Sequence, residues 1–134
     1  MKLENRARSV VNFVKGMMMM QANQQLDLET VANILKLLGD KTRLTMVKIM
    51  ADHECCVCEF VAMFEMSQPA ISQHLRKLKD TGIVKESRKG QWVFYSLNQM
   101  HPLYAYVLTV IRELPEQKYV IAELEAKGKR IACD

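Results

Sequence analysis

The stretch that decides the fold is residues 67–82, which read SQPAISQHLRKLKDTG. Ser67 is a good N-cap, and Pro69 falls in the first turn, where its missing N–H costs nothing, so a helix begins here. The apolar residues of this stretch recur at helical spacing and mark its buried face; they are Ile71, Leu75 and Leu78. Gly82 supplies a left-handed terminator. The stretch therefore predicts a helix that runs to about Thr81.

The opposite face of this predicted helix carries amide, hydroxyl and guanidinium groups. These are the groups that contact base edges and phosphates in the major groove of DNA. The alternative is an ordinary solvated surface, which most surface helices have. The candidate DNA-binding residues on the helix and at its start are Ser67, Gln68, Ser72, Gln73, His74, Arg76 and Lys77.

The elements on either side favour the DNA-binding alternative. Apolar residues at positions i, i+3, i+4 and i+7 predict a short helix over 57–64, followed by a tight turn. Two β-rich segments, 83–87 and 92–97, flank a basic hairpin tip over 88–91. The candidate DNA contacts at that tip are Arg88, Lys89 and Gln91. Helix, turn, helix and hairpin in this order predict a mainly α winged helix-turn-helix fold with a small β-hairpin.

Further helices are predicted before and after this unit. Asp27 caps a helix that Gly39 ends, and Asp40 caps the next one, which ends near His53. A last long helix is predicted to start near Met100, with Pro102 in its first turn, and to stop at Pro115. Its apolar stripe is broader than one small core can use, which predicts a dimer interface at Leu103, Val107, Val110 and Leu114, widened by Tyr106 and Ile111.

These elements predict three regions along the chain. They are a helical N-terminal arm over 1–26, a winged helix-turn-helix core with its dimerisation helix over 27–115, and a C-terminal tail over 116–134 that forms a weak helix. The arm contains a helix near 4–22 that carries the run Met17–Met20. This run is interpreted as adaptable packing surface, with a copper-binding methionine cluster as the alternative.

Composition limits the class of protein. With 134 residues, 49% of them hydrophobic and 25% charged, the chain fits one globular domain. It has neither an apolar run of about 18 residues, as a membrane-spanning helix needs, nor a signal-like start, so a cytoplasmic protein is expected. The formal net charge of +4 is concentrated: residues 68–91 hold six basic and two acidic side chains, and the remaining positions sum to zero. This localisation is typical of a nucleic-acid footprint.

Three of the four cysteines fall at Cys55, Cys56 and Cys58, too close together for a useful disulfide framework. They are interpreted as a metal-binding or redox cluster, the alternative being small buried hydrophobic residues. Residues i and i+2 of a helix project about 200° apart. We therefore expect that binding of one ion by Cys56 and Cys58 requires the start of the 57–64 helix to unwind, which would displace the 67–82 helix.

Four segments together resemble the ArsR/SmtB family of bacterial metal-sensing repressors. They are LGDKTRL at 38–44, SQPAISQHL at 67–75, GQWVFYSL at 90–97 and, most specifically, ECCVCEF at 54–60. The last is similar to the Glu-Leu-Cys-Val-Cys-Asp-Leu box of the arsenic- and cadmium-responsive members. The resemblance covers roughly residues 28–114.

Membership of this family implies a homodimer, built from the first and last helices of the core, that represses an operon from its operator DNA and is released by a metal. By the same resemblance the inducer is arsenite or antimonite, which take three sulfurs. Cys56 and Cys58 supply two, and the third is Cys55 or Cys133, with Cys55 preferred. The alternatives are a cadmium, lead or copper sensor, or a switch based on thiol oxidation.

Two other sites are disfavoured. The interfacial zinc site of some members would fall at Gln99, His101, Arg112 and Pro115, where only one ligand survives, so His101 is expected to be a polar residue at a helix start. The N-terminal arm lacks the cysteines that the cadmium-type site recruits. An enzyme with a cysteine nucleophile would need an oriented base beside the thiol, and His53 is the only nearby candidate, so no enzymatic activity is expected.

Overall fold

Helices and strands follow one another in the predicted order, with one addition, a two-residue strand before the third helix that the sequence did not predict. The structure is a computed structural model that describes residues 26–117, 122–123 and 125–128. Its elements are α1 (Leu28–Leu38), α2 (Lys41–Met50), β1 (Cys55–Cys56), α3 (Val57–Phe64), α4 (Gln68–Asp80), β2 (Val84–Lys89), β3 (Trp92–Leu97) and α5 (Tyr104–Arg112). The strands form an antiparallel sheet of order β1-β3-β2. The chain has a winged helix-turn-helix fold.

Side-chain caps start three of the helices where the sequence predicts them. Asp27 accepts a hydrogen bond from the Thr30 N–H at 2.7 Å, and Asp40 accepts one from the Arg43 N–H at 3.0 Å. Ser67 caps α4 through the N–H of Ala70 at 3.3 Å. Each cap satisfies an amide that the first helical turn leaves without a partner.

The core lies between the helices and one face of the sheet. Helix α3 packs against α4, and both contact the body of the molecule through fully buried side chains such as Phe60, Ile71 and Leu78. Gly82 has a φ of +80° and turns the chain from α4 into β2, as predicted. This packing holds α4 with its other face outward.

The hairpin differs in detail from the prediction. Strand β2 continues to Lys89, so Arg88 and Lys89 are strand residues, and the turn is Gly90 with Gln91. Gly90 has a φ of +62°, as a tight two-residue hairpin requires. The basic side chains therefore project from a paired strand.

The last helix is shorter than predicted. It begins at Tyr104, because Pro102 lies in a turn that precedes it, and it ends at Arg112 before Pro115. The turn is closed by backbone hydrogen bonds from His101 to Asn98 and from Tyr104 to His101. The apolar stripe of α5 is correspondingly shorter.

Several predictions fall on residues outside the described ones. The 4–22 helix, the Met17–Met20 run and Cys133 lie there. In the predicted tail, residues 122–123 and 125–126 are helical, as expected. None of the helices that the structure describes is both long and apolar enough to span a bilayer. The division at residues 26 and 115 stays a prediction.

Candidate nucleic-acid interface and thiol site

Helix α4 divides into two faces as the sequence predicts. Ile71, Leu75 and Leu78 are buried. The side chains of Gln73, Arg76 and Lys77 are exposed and form no hydrogen bond or ion pair with any described residue. Of the other candidates on this helix, Gln68 is exposed and Ser72 is half-buried, while the hydroxyl of Ser67 is engaged as the cap. The outer face thus presents donors and acceptors that are available to a ligand.

His74 is held by Arg43, a contact that the sequence analysis missed. Nη1 of Arg43 donates to Nδ1 of His74 at 3.2 Å, and Nε of Arg43 donates to the carbonyl of Leu37 at 2.7 Å. Arg43 therefore ties the end of α1 to α4. The other ring nitrogen of His74, Nε2, has no hydrogen-bond partner among the described residues and is not buried. It is open to a ligand on the outer face of α4.

The protonation of His74 reflects this environment. Burial lowers its pKa below the ordinary value of 6.5, and the positive charges of Arg43 and Lys77 act in the same direction, while Asp40 opposes them. The imidazole is consequently neutral at pH 7 and accepts the hydrogen bond from Arg43.

Strand β2 of the wing carries three basic residues, Lys85, Arg88 and Lys89. Lys89 forms an ion pair with Glu54, and its Nζ lies 5.3 Å from the centre of the Phe94 ring. Arg88 and Gln91 are exposed. A second ion pair, Lys79 with Glu86 at 2.6 Å, joins the last turn of α4 to β2. The predicted phosphate ligand Lys89 is thus already paired within the protein.

The sulfur atoms of Cys56 and Cys58 are adjacent, which corrects the prediction that the helix must unwind to bring them together. Cys56 is the N-cap residue of α3, with extended backbone angles (φ −92°, ψ 169°), so it lies outside the regular helix. Its Sγ is 2.8 Å from the Sγ of Cys58. The rule of 200° between i and i+2 fails here because it holds only when both residues are helical.

Cys56 is buried and Cys58 is exposed. Burial and the hydrogen bond with Cys58 raise the pKa of the Cys56 thiol to about 12. Cys56 is therefore a protonated thiol near neutral pH, whereas a cysteine nucleophile acts as the thiolate. His53 forms no side-chain hydrogen bond with either sulfur among the described residues, so the structure adds no support for a catalytic pair.

Glu59 holds the residue that joins β1 to α3. Its Oε1 accepts a hydrogen bond from the N–H of Cys56 at 2.9 Å, and the side chain is fully buried. Sequence reasoning missed this contact, although a Glu three residues after an N-cap position is the signal of a capping box. Glu59 thereby fixes the backbone that carries the first sulfur.

Cys55 lies in strand β1. It pairs with Tyr95, while Cys56 pairs with Phe94. Because successive strand residues point to opposite faces, Cys55 and Cys56 project away from each other. Cys55 is buried in the main core, and its Sγ lies 3.7 Å from the carbonyl oxygen of His53. Within the described part of the chain, no three His, Cys, Asp or Glu side chains come together as a metal site.

His101 behaves as a structural residue, as expected. Its Nδ1 accepts from the N–H of Leu103 at 3.0 Å, and its Nε2 lies 3.0 Å from the carbonyl oxygen of Thr81, to which it donates. Both ring nitrogens are thus used within the fold. The ring also fastens the turn before α5 to the end of α4.

The predicted dimer residues lie on two sides of α5. Leu103 and Val107 are buried in the core of the single chain, with Val107 only 3% exposed. Val110 is 50% exposed, Leu114 is half-buried, and Tyr106 is exposed. On α1, Leu28 and Leu35 are also exposed. The apolar surface left uncovered therefore comes from both helices.

Comparison with known proteins agrees with this architecture. Residues 40–86 match the model of the family described as bacterial regulatory protein, arsR family. An arsenic resistance transcriptional regulator of Pseudomonas putida is 46% identical over 70 residues, which cover 52% of this chain and 55% of that protein. An uncharacterised HTH-type transcriptional regulator of Methanocaldococcus jannaschii is 44% identical over 68 residues, covering 50% of this chain and 76% of that protein.

A solved structure shows the same fold. The homodimeric winged helix-turn-helix DNA-binding domain of a possible ArsR-family transcriptional regulator of Mycobacterium bovis superposes with a TM-score of 0.55 at 28% identity. The superposition covers 69% of this chain and 93% of that domain. Sequence, fold and relatives agree that this chain belongs to the arsR family of bacterial regulatory proteins.

Proposed function

We propose that this protein is a transcriptional repressor that binds operator DNA as a homodimer and releases it when arsenite or antimonite binds Cys56 and Cys58. The observation that carries the proposal is the 2.8 Å separation of the two sulfurs, at the residue that joins the sheet to α3. An arsenic resistance regulator among the relatives supports the choice of inducer.

Helix α4 and the wing supply the DNA-binding groups in this proposal. Gln73 and Arg76, exposed on α4, contact base edges, with Ser72 and His74 beside them. Arg88 and Lys89 contact phosphates, which give affinity but no sequence preference. A dimer places two such helices about one turn of DNA apart.

The exposed apolar residues of α1 and α5 are proposed as the dimer interface. Leu28, Leu35, Tyr106 and Val110 are exposed in the single chain, and burial of apolar area drives association. The homodimeric relative supports this assignment. Val110 is exposed, whereas Val107 is buried within its own chain. Val110→Glu should therefore give monomers in sedimentation experiments without unfolding the protein. A dimer that persists in Val110→Glu would place the interface elsewhere.

Ion binding at the two sulfurs would act on the sheet and on α3 together, because Cys56 lies in β1 and Cys58 in α3. The ion would take the place of the direct contact between the two sulfurs, so their arrangement must change. Since β1 pairs with β3 and α3 packs against α4, this movement is transmitted to both DNA-binding elements. A ligand that favours the displaced arrangement shifts the population away from DNA.

The placement of Cys55 favours Cys133 as the third sulfur ligand. Cys55 projects into the core on the face opposite Cys56, so it could reach the ion only if β1 left β3. This reverses the preference drawn from the sequence. Soft sulfur ligands without histidine or carboxylate partners select soft acceptors.

Fluorescence anisotropy with a labelled duplex from the protein's own promoter tests the proposal. Arsenite should weaken DNA binding by the wild-type protein about 5- to 150-fold. Cys56→Ser and Cys58→Ser should bind DNA normally and fail to release it, because a hydroxyl is a poor ligand for a soft ion. Cys133→Ser should respond weakly, and Cys55→Ala, which keeps the core apolar, should respond normally.

The same titration discriminates the alternatives. Cadmium, lead, copper and an oxidant are added in parallel. Release of DNA by one of these agents, but not by arsenite, would identify a different inducer for the same repressor. Normal release by arsenite from the Cys56→Ser, Cys58→Ser double variant would refute the thiol site.

A further inference from the structure

We propose that Glu54 is an internal counter-ion that competes with DNA phosphate for Lys89, and so lowers the affinity of the ion-free protein for DNA. Glu54 is a positioning residue in this proposal because it acts through Lys89. The inference deepens the proposed function and rests on it. Three structural features of the wing and the adjoining strand support the proposal.

The first feature is the ion pair itself. Lys89 and Glu54 are 35 positions apart, on the wing and in the segment before β1, and their carboxylate and ammonium groups are in direct contact. Their side chains are 41% and 34% exposed. The pair is therefore accessible to an incoming DNA phosphate. The phosphate oxygens can take the place of the Glu54 carboxylate beside the Lys89 ammonium group.

The second feature is the position of Lys89 over Phe94. Its Nζ lies 5.3 Å from the ring centre, so the charge also interacts with the aromatic face. Phe94 is buried and pairs with Ser87 on β2, two residues before Lys89. The ring and the carboxylate together hold the long lysine side chain along the sheet.

The third feature is that the thiol site shares this face of the sheet. Phe94 pairs with Cys56 on its other side, and directly paired residues of antiparallel strands project from the same face. Glu54 lies two residues before Cys56 along the chain. The carboxylate that contacts Lys89 thus belongs to the same short segment as Cys56, the first sulfur ligand of the proposed site.

The size of the effect follows from the exposure of the pair. Ion pairs this accessible are weak, so the contact is readily exchanged for phosphate. Removing the carboxylate charge while keeping its shape should tighten DNA binding roughly twofold to fivefold, the range that such pairs span. If the pair were buried, Lys89 would instead be unavailable to DNA phosphate.

The chain provides a matched control. Lys79 and Glu86 form an ion pair of similar exposure, 46% and 41%, between α4 and β2. Glu86→Gln changes the net charge of the protein by the same amount as Glu54→Gln. Any general electrostatic gain from the loss of a negative charge appears in both variants.

The experiment is a double-mutant cycle on full-length, ion-free protein, measured as DNA affinity. Glu54→Gln should tighten binding roughly twofold to fivefold in the wild-type background and have no effect beside Lys89→Met. The effect of Glu86→Gln should be the same with and without Lys89→Met. A gain from Glu54→Gln that survives Lys89→Met, or no gain at all, would overturn the inference while leaving the repressor intact. A wild-type protein that binds no operator DNA would overturn the proposed function and this inference together.

Discussion

The outer face of α4 and the junction between β1 and α3 are built in opposite ways. On α4, Gln73, Arg76 and Lys77 project outward and form no hydrogen bond or ion pair with the described residues. At the junction, the N–H of Cys56 donates to Glu59, its sulfur contacts that of Cys58, and the residue is paired with Phe94 of β3.

This difference means that DNA affinity and the stability of the fold depend on different residues. A side chain that contacts only solvent can be replaced at a cost within about 0.5 kcal/mol of folding free energy, whereas a buried and bonded one cannot. Substitutions on α4 should therefore change DNA affinity in a folded protein, and substitutions that remove a buried side chain or hydrogen bond at the junction should lower the stability of the fold. Four predictions test this separation.

Phe60→Ala should have the largest effect on stability. Phe60 is fully buried in α3 and lies against Phe64, with ring centres 6.1 Å apart. Removing a buried Phe side chain costs about 3–5 kcal/mol, which chemical denaturation measures. Phe64→Ala, at a half-buried position of the same helix, is the control and should cost clearly less. Equal losses would mean that α3 is not anchored through Phe60.

Glu59→Ala should have the second-largest effect on stability. It removes the acceptor of the buried Cys56 N–H and should cost about 1–3 kcal/mol. Glu59→Gln keeps an oxygen acceptor at the same place and should recover much of that loss. If Gln and Ala were equally destabilising, the hydrogen bond to Cys56 would not be the reason why Glu59 is needed.

Gln73→Ala should weaken binding to operator DNA about tenfold and leave random-sequence DNA binding nearly unchanged. Its unfolding free energy should stay within about 0.5 kcal/mol of wild type, since the side chain is exposed. Lys77→Ala, by contrast, should weaken both kinds of DNA if it contacts phosphate. A loss of stability in Gln73→Ala would contradict the separation.

The smallest effect concerns pH. Burial lowers the pKa of His74 below 6.5 in the folded protein, so below pH 6.5 the unfolded chain binds more protons at this residue than the folded one. Its contribution to stability is complete above pH 6.5 and declines as the pH falls through 6.5 towards the lowered folded value. The stability of His74→Gln should fall less over that range than that of the wild type. A parallel decline in both proteins would assign the pH dependence to other groups.

Local signals in the sequence were sufficient for most of the fold. The caps Asp27, Asp40 and Ser67 act on amides three residues away, and the spacing of Ile71, Leu75 and Leu78 needs only the period of one helix. These features are visible in any short window. The starts of these three helices were predicted correctly because each has its own cap, whereas the start of α5 was missed because it depends on a turn around Pro102 and on His101.

Features formed by distant residues were not predictable. Strand β1 has two residues and exists because β3, about 40 positions later, pairs with it. This pairing takes Cys56 out of the helix and brings the two sulfurs together, so the expected geometry of the thiol site was wrong although its residue types were readable. The ion pair between Glu54 and Lys89 and the contact between Arg43 and His74 likewise join segments that no sequence window contains.

Under the proposed function, the unequal exposure of Cys56 and Cys58 bears on how the ion preference of this protein can change. Position 56 must extend β1, present its N–H to Glu59 and fit a buried site, so few residues can occupy it. Position 58 is exposed in the first turn of α3 and tolerates substitution at little cost. Replacing its thiol by an imidazole would change the ligand set from sulfur alone to sulfur and nitrogen, which suits borderline metals such as zinc. Substitutions at position 58 can therefore change which ion the protein prefers. The fold and the DNA-binding surface would stay the same.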